Sequence, residues 1–271
     1  MAARSLEPSI LGGYALVFSA FLLMTNVPTR LLFNPAEIAA VSVPEGSRLG
    51  LLGHTLKVGT LPALLAALSV SIWTVVAPPV IPWDVMVAFT VTGVTCAFVS
   101  PVQDHVRRML HVGGASWWAA AVSAIQLTGV LGAIWMLIHA GIPAWWVPFG
   151  SLTIGNILSL TVACLLVLRG SREEAAPSTL SFKALVQSGR WILIVGLLQP
   201  IATFASNAIV SHLAGTRTLG YAEAARILGQ PPSVLALGLV AVLGPRSMQA
   251  AQRGDLKTAR RISRMFAALM L

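Results

Sequence analysis

Long apolar segments alternate with short polar connections along almost the whole chain. Seven of these segments predict helices, and they cover residues 10–33, 55–78, 84–103, 117–140, 144–168, 190–213 and 219–244. A helix of about twenty apolar residues crosses a hydrocarbon core of about 30 Å. Backbone polar groups in lipid must be satisfied within one helix or around a closed barrel, and these segments lack the alternation of barrel strands. The pattern therefore predicts an all-α integral membrane protein, a polytopic bundle of seven transmembrane helices.

The last residues of the sequence are apolar again. The segment 265–271 (MFAALML) is too short to cross a bilayer, and we interpret it as the first turns of a partial eighth span. The residues LGGYA at 11–15, where the first span begins, are echoed by LGYA at 219–222, where the seventh begins. Only the second copy is preceded by a full span. We therefore expect the sequence to be a fragment that lacks one helix before the first span.

Composition and charge support a membrane protein and predict its orientation. The chain is 56% hydrophobic and 10% charged, with a net charge of +9. Of its 18 lysines and arginines, only Arg4, Arg217 and Arg226 lie away from one set of alternate connections. Because basic connections are retained in the cytoplasm, we predict a multi-pass cell-membrane protein in which this set is cytoplasmic and the N-terminus lies outside. The charges flank the spans without interleaved aromatic residues, so we expect membrane lipids and not nucleic acid as partners.

The sequence lacks the residue patterns of catalysis and of metal or nucleotide binding. Its five histidines are scattered and form no HExxH or other metal-ligand spacing. Asp84 and Asp104 lie at opposite ends of one predicted span, too far apart for a pair of catalytic carboxylates. No phosphate-binding loop, nucleophile elbow or dinucleotide-binding turn occurs. We therefore expect no enzymatic activity and no cofactor.

The seventh predicted span carries the clearest resemblance to a known family. Residues 219–232 (LGYAEAARILGQPP) resemble the eighth helix of the polysaccharide, O-antigen-type, flippases of the multidrug/oligosaccharidyl-lipid/polysaccharide exporter superfamily. The following GPR at 244–246 and RGDL at 253–256 resemble the basic connection after that helix, and LGGYALV at 11–17 resembles the start of the second helix. Many relatives carry an acidic residue in helix seven, where this chain has Asn207. Cation coupling through that position is therefore not expected.

The resemblance implies a transporter of two helical lobes around a central cavity, of which this chain holds helices two to eight and the start of nine. Residues 1–168 would form first-lobe helices, 169–189 a cytoplasmic linker between the lobes, and 190–271 the start of the second lobe. The implied function is flipping a lipid-linked oligosaccharide or polysaccharide precursor to the outer leaflet by alternating access. The implied partners are a polyprenyl-pyrophosphate-linked sugar and the polysaccharide polymerase or glycosyltransferases that act on the same glycan.

Ionisable residues inside spans are candidates for function, because a charge in lipid is costly unless it faces a cavity or a partner. Arg226 lies seven residues into its predicted span, and Glu223 lies on the same helical face. Arg226 either binds the substrate pyrophosphate through paired hydrogen bonds or forms a local ion pair with Glu223. Arg30, four residues after Asn26, either extends to the cytoplasmic headgroups or lines a cavity.

Polar uncharged residues and one histidine complete the candidate set. Each of them either forms a hydrogen bond between helices or, together with the others, lines a hydrophilic path for the sugar. They are Gln126, Asn156, Gln199, Asn207 and His212. The predicted substrate-binding residues are Arg226, Glu223, Arg30, Asn207, Gln199 and Asn156.

Two other functions remain open. An exporter of small organic cations, as in the MATE branch of the superfamily, needs a buried carboxylate, for which Glu223 and Asp84 are poor central candidates. A membrane enzyme of cell-envelope polysaccharide assembly needs a large extracytoplasmic loop with catalytic residues. The predicted outer connections 79–83, 141–143 and 214–218 are only a few residues long.

Overall fold

A computed structural model describes residues 6–76, 80–170, 181–252 and 254–270, and all regular secondary structure in these residues is helical. The α-helices are α1 (Pro8–Pro28), α2 (Asn34–Val41), α3 (Glu45–Val76), α4 (Trp83–Val112), α5 (Ser116–His139), α6 (Val147–Gly170), α7 (Phe182–Gln252) and α8 (Leu256–Met270). A π-helical segment, Thr29–Phe33, joins α1 to α2, and a short 3₁₀ turn, Ala144–Trp146, precedes α6. The predicted all-α class is confirmed.

Six helical stretches of the described residues are long and apolar enough to cross a membrane. They are Pro8–Val41, Gly46–Thr74, Trp83–Val112, Ser116–His139, Ala144–Arg169 and Phe182–Gln230. The last stretch contains the predicted span 190–213 and the first half of 219–244. Seven separate spans with a partial eighth are therefore not confirmed, although membrane-spanning helices are supported.

The predicted connection 214–218 is reduced to a single residue in α7. Gly215 alone departs from helical geometry, with φ 84° and ψ 157°, and helix lies on both sides of it. A positive φ is readily adopted by glycine because it has no Cβ. The chain therefore changes direction here without the five-residue loop that its sequence predicts.

Four helices extend eight or more residues beyond their apolar segments: the first helix, α3, α4, which ends at Val112 and not at 103, and α7, which begins at Phe182 and not at 190. The first continues past residue 33 through the π-helical segment to Val41, and α3 begins at Glu45, well before residue 55. The added turns are anchored by other helices, since Glu37 of α2 contacts His105 and Arg108 of α4. Tertiary contacts thus explain helix where the hydrophobic pattern has ended.

The outer face of the bundle is apolar. On α3, large side chains recur at helical spacing and are half or more exposed, namely Leu61 (62%), Leu65 (59%), Leu68 (50%) and Ile72 (62%). Trp117 at the start of α5 is 89% exposed. Contiguous exposed apolar surface of this kind is typical of a face that contacts lipid or another protein. It agrees with a membrane environment for these helices.

One large cluster of buried apolar side chains lies where the helix ends carry most of the basic residues. It is built around Phe33, Leu52, Met109 and Leu185. Near it, Arg48 of α3 donates to the carbonyl oxygen of Val112 at 3.1 Å. We call the end of the bundle that carries Arg48, Arg107, Arg108, Arg169 and Lys183 the basic end.

Glycines allow α1 and α7 to pack backbone against backbone. A Cβ on Gly12 would overlap the carbonyl oxygen of Thr216, and one on Gly220 would overlap that of Pro8. At the basic end, a Cβ on Gly189 would overlap the carbonyl oxygen of Leu31. Small residues permit this close approach, on which helix association in lipid depends.

The chain forms two compact units, one ending at Tyr221 and one beginning at Ala222. The lobe boundaries at residues 168 and 190 stay a prediction. In the second unit, α8 carries four basic residues, and the segment 265–270, expected to begin an eighth span, is continuous with it. Asp255 precedes α8 and accepts a hydrogen bond from the Thr258 backbone N–H at 3.0 Å.

We expect the start of α8 to depend on pH. The pKa of Asp255 is lowered because its carboxylate accepts hydrogen bonds from the Thr258 hydroxyl and backbone N–H. A carboxyl whose folded pKa is depressed stabilises the fold above its unfolded pKa of about 3.9, and this contribution is lost as pH falls through the folded value. Protection of the Thr258 amide against hydrogen exchange should therefore fall below about pH 4. In the Asp255→Asn variant the side chain still caps α8 but carries no charge, so the Thr258 amide should stay protected at low pH. An equal loss of protection in both proteins would show that the Asp255 charge is not the cause.

Candidate functional site

Two polar cavities meet at Arg30, in the π-helical segment between α1 and α2. The first has a volume of about 220 Å³ and lies between α1 and α7. The second has a volume of about 270 Å³ and lies between α1, α4 and α5. Asn26 and Arg30 line both cavities. Arg30 is half-buried, so a cation is held within the bundle.

Proline explains why the chain leaves α-helical geometry beside Arg30. Pro35 has no N–H to donate to the carbonyl oxygen of Leu31, which is its α-helical acceptor four residues earlier. The preceding Asn34 N–H instead bonds to the Thr29 carbonyl oxygen, five residues back. Single π-helical turns inside α-helices are rare and frequent at functional sites. Arg30 lies within this widened turn.

Arg30 is the cation of this region without a carboxylate partner. Its Nε donates to Asn26 Oδ1 at 3.3 Å. Among the described residues, no aspartate or glutamate lies within ion-pair distance of Arg30. Gly196 on α7 leaves room for it, because a Cβ there would lie only 3.0 Å from Arg30 Cδ and Nε. The exposed Gln199, one turn further along α7, lines the same cavity.

An amide chain leads from the second cavity into the bundle. Gln103 Nε2 donates to Gln126 Oε1 at 3.5 Å, and Gln126 Nε2 donates to Asn156 Oδ1 at 2.6 Å. Asn156 is only 3% exposed, and its Nδ2 lies 4.0 Å from Cys96 Sγ. The chain links α4, α5 and α6 across their apolar interior. Gln126 and Asn156 therefore bond to each other between helices, while Gln126 also borders the cavity.

The other cations near this cavity are compensated. Asp104 pairs with Arg107 and lies 2.8 Å from Arg108 Nη2. Glu37 Oε2 lies 3.2 Å from Arg108 Nη1, and Glu37 Oε1 lies 3.1 Å from His105 Nδ1. Three arginines thus face two carboxylates, and Arg30 supplies the excess positive charge.

Arg226 and Glu223 belong to the second compact unit and are bonded to each other. Arg226 Nε donates to Glu223 Oε2 at 2.7 Å, and Arg226 Nη2 donates to Glu223 Oε1 at 2.5 Å. The Glu223 side chain is 4% exposed and that of Arg226 is 44% exposed. This geometry matches the local ion pair that the sequence left open beside pyrophosphate binding. It leaves part of the guanidinium exposed.

The remaining candidates occupy different places in the first unit. Asn207 is half-buried and donates from Nδ2 to the Ala15 carbonyl oxygen at 3.5 Å, which joins α7 to α1. Asn156 lies at the inner end of the amide chain. Of the six predicted residues, Arg30 and Gln199 line a common cavity.

Sequence reasoning missed the charged cluster of Glu37, Asp104, His105 and Arg108. Glu37 lies 68 positions before His105 and 71 before Arg108, so the sequence gives no sign that it meets the other three. The available signal was local: Asn34 and Glu37 are three residues apart, as are His105 and Arg108, so each pair shares a helical face. That spacing does not reveal that the two faces meet.

Comparison with protein-family models, with curated proteins and with solved structures found no match to this chain. Its function is therefore argued from the geometry of the site. A half-buried guanidinium among amides and hydroxyls binds anions, since it presents several N–H donors that match phosphate oxygens.

Proposed function

We propose that this chain belongs to a membrane transporter that flips a lipid-linked oligosaccharide or polysaccharide precursor from the cytoplasmic to the outer leaflet. The observation that carries the proposal is the half-buried, carboxylate-free guanidinium of Arg30 between two polar cavities. A charge retained inside a membrane bundle without a carboxylate partner marks a ligand path, because an anionic ligand can offset the cost of its desolvation. The negative charge of a pyrophosphate group would offset the cost of desolvating the Arg30 guanidinium.

The surroundings of Arg30 suit the rest of such a substrate. Amide and hydroxyl groups of Asn26, Gln199 and Thr203 line one cavity and offer hydrogen bonds to a sugar. Gln103 and Gln126 do so in the other. The apolar outer faces of the helices leave the polyprenyl tail in lipid. Arg30 would therefore hold the charged junction between the tail and the sugar.

Transport requires that the site favour different conformations when it is empty and when it is filled. A substrate shifts a conformational equilibrium only by its difference in affinity for the two states. Arg30 is held between α1 and α7, and α7 turns at Gly215. A movement of α7 relative to α1 would change the cavity around Arg30, which is the element of alternating access that we infer for this chain.

Export of organic cations is less well supported by the charges. Such a substrate needs a buried carboxylate that is free to pair with it. Each buried or half-buried carboxylate of the described residues already has a cation, namely Glu37 with Arg108, Asp104 with Arg107, and Glu223 with Arg226. Asp84 is exposed at the start of α4.

Replacement of Arg30 by glutamine tests the proposal. Hydrogen bonds to charged groups contribute about 1.5–3 kcal/mol each, so Arg30→Gln should weaken binding of a short polyprenyl pyrophosphate about 10- to 100-fold. Binding to the purified chain in detergent can be measured by thermophoresis, with neutral polyprenol as the matched ligand. Arg190→Gln is the control, since Arg190 is exposed on α7 and stacks on Trp191. Equal binding of pyrophosphate and alcohol by the unmodified chain would contradict the proposal.

A further inference from the structure

A second, predominantly apolar groove lies at the basic end of the bundle, away from Arg30. It has a volume of about 400 Å³ and is bordered by α3, α4 and α6. Its apolar walls are formed by Leu49, Leu56, Val106, Met109, Val167 and Leu168. Gly50 and Gly53 of α3 leave its floor open, because neither contributes a side chain. The groove therefore offers a mainly apolar surface that is open at its floor.

Two nitrogen-bearing side chains line the groove with these apolar residues. They are His54, which is half-buried, and Lys57, which is exposed. No carboxylate is among the described lining residues. Lys57 follows Gly53 by four residues and Gly50 by seven, so the three share a face of α3. Helical side chains lean toward the N-terminus of their helix, so we expect the Lys57 stem to lie over Gly53 with its ammonium toward the basic end.

Lipid is the occupant that matches both parts of this groove. An acyl chain fits the apolar trough, and a phosphate group fits the ammonium of Lys57 and the ring N–H of His54 beside it. The apolar cavity beside Tyr14 differs from this groove. It has a volume of about 380 Å³ and is lined by Ile134, Ile138 and other residues without a charge. Basic pockets between membrane helices on the cytoplasmic side bind anionic headgroups. Charge complementarity therefore distinguishes the groove at the basic end.

We propose that this groove binds one anionic phospholipid of the cytoplasmic leaflet. Its acyl chain lies along Gly50 and Gly53, and its phosphate contacts Lys57 and His54. The groove shares Val106 and Met109 with the core cluster that contains Leu32 and Phe33, which belong to the same π-helical segment as Arg30. A bound lipid thus adds packing to the helices that hold the Arg30 site. This binding is separate from the transported substrate.

Two variants distinguish recognition of the lipid headgroup from binding of the acyl chain. Lys57→Gln removes the cation and keeps the stem, and Gly53→Leu fills the floor. The leucine can be accommodated at its Cβ, because the nearest atom there would be Met109 Cε at 3.9 Å. The controls are Lys183→Gln, an exposed lysine outside the groove, and Gly132→Leu, a position with open space around it. Each control carries the same substitution at an exposed position that does not line the groove.

Lipid binding by the full chain in detergent can be counted by native mass spectrometry, with phosphatidylglycerol and phosphatidylcholine as probes. We expect one phosphatidylglycerol to bind about tenfold more tightly than phosphatidylcholine, a difference near 1.4 kcal/mol. Lys57→Gln should remove this preference, Gly53→Leu should weaken both lipids about tenfold, and the controls should do neither. Alkylation of Cys164, which lines the groove, should be slowed by phosphatidylglycerol, while the buried Cys96 stays unreactive.

Three outcomes would overturn the proposal. Equal affinity for the two lipids in the unmodified chain would show that the headgroup charge is not recognised. An equal loss in Lys57→Gln and Lys183→Gln would assign the effect to general surface charge. Unchanged Cys164 alkylation at saturating phosphatidylglycerol would place the lipid elsewhere. None of these outcomes depends on pyrophosphate binding at Arg30.

Discussion

Replacing Gly189 by alanine should destabilise the bundle by about 2 kcal/mol, within the range of about 1–3 kcal/mol for overpacking a tight contact. The added Cβ would overlap the carbonyl oxygen of Leu31 and lie 2.7 Å from its carbonyl carbon. Both atoms belong to the backbone, so no side-chain rotation can relieve the overlap. The helix α7 must move away from the π-helical segment. Thermal unfolding in detergent, followed by circular dichroism, measures the loss.

Two other glycine-to-alanine variants isolate the cause. Gly132 on α5 has open space around it, and alanine there should stabilise by about 0.5–1 kcal/mol because it is the better helix former. Gly196 lies seven residues after Gly189 on the same face of α7, but its neighbour is the flexible Arg30 side chain. Gly196→Ala should therefore displace Arg30 and weaken pyrophosphate binding with little loss of stability. If Gly189→Ala is as stable as Gly132→Ala, the close packing described between α7 and the π-helical segment is wrong.

The helix ends that were best predicted from sequence are those set by local chemistry. The predicted span 117–140 corresponds to α5, Ser116–His139. Gly114 precedes this helix with φ 85°, and Gly141 follows it with φ 70°. A glycine at positive φ ends a helix for reasons internal to a few residues. Such a signal is legible without knowledge of the fold.

The ends of the first helix and of α3 depend on other parts of the chain. Asn34–Val41 continues the first helix although it contains Asn34 and Glu37, because Arg108 of α4 donates to both side chains. Polar residues after an apolar segment normally predict a connection. Contacts over seventy positions reverse that expectation here, and a hydrophobic pattern contains no record of them.

Only those features of the candidate site that depend on nearby residues could be predicted from the sequence. Arg30 stood out because a charge in an apolar segment is costly. Its neighbours Gln103 and Asp104 could not be assigned to it, since they lie on α4 and reach the cavity only through helix packing. Arg226 and Glu223 were identified together because a spacing of three residues places both on one face of a helix. That pairing is local, and the structure contains it.

Removal of the Glu37 side chain should have a second large effect, on the charged cluster at the basic end. His105 is fully buried, with Phe33 stacked on its ring at a centroid distance of 4.2 Å. Its Nδ1 lies 3.1 Å from Glu37 Oε1, and its Nε2 lies 3.3 Å from the Leu52 carbonyl oxygen. Both ring nitrogens thus face acceptors, and Nδ1 can donate a hydrogen bond to the Glu37 carboxylate. Glu37→Ala would leave Nδ1 buried without a partner.

Breaking a buried charged pair costs about 3–5 kcal/mol when no partner remains. Arg108 keeps Asp104 and Asn34 as partners, so we expect a loss of about 3 kcal/mol for Glu37→Ala, at the lower end of that range. Thermal unfolding at neutral pH measures it. Glu7→Ala is the control, because Glu7 is exposed and its side chain forms no capping hydrogen bond at the start of α1. Its effect should stay within about 0.5 kcal/mol.

Glu37→Gln distinguishes the hydrogen bonds of this cluster from its charge. A glutamine can accept from Arg108 through its carbonyl oxygen and donate from its amide to Nδ1 of a neutral His105. The Nε2–H of that histidine still donates to the Leu52 carbonyl oxygen, so each buried group keeps a partner. We therefore expect a loss of less than about 1 kcal/mol. If glutamine proves as damaging as alanine, the negative charge of Glu37 and not its two hydrogen bonds holds α2 against α4.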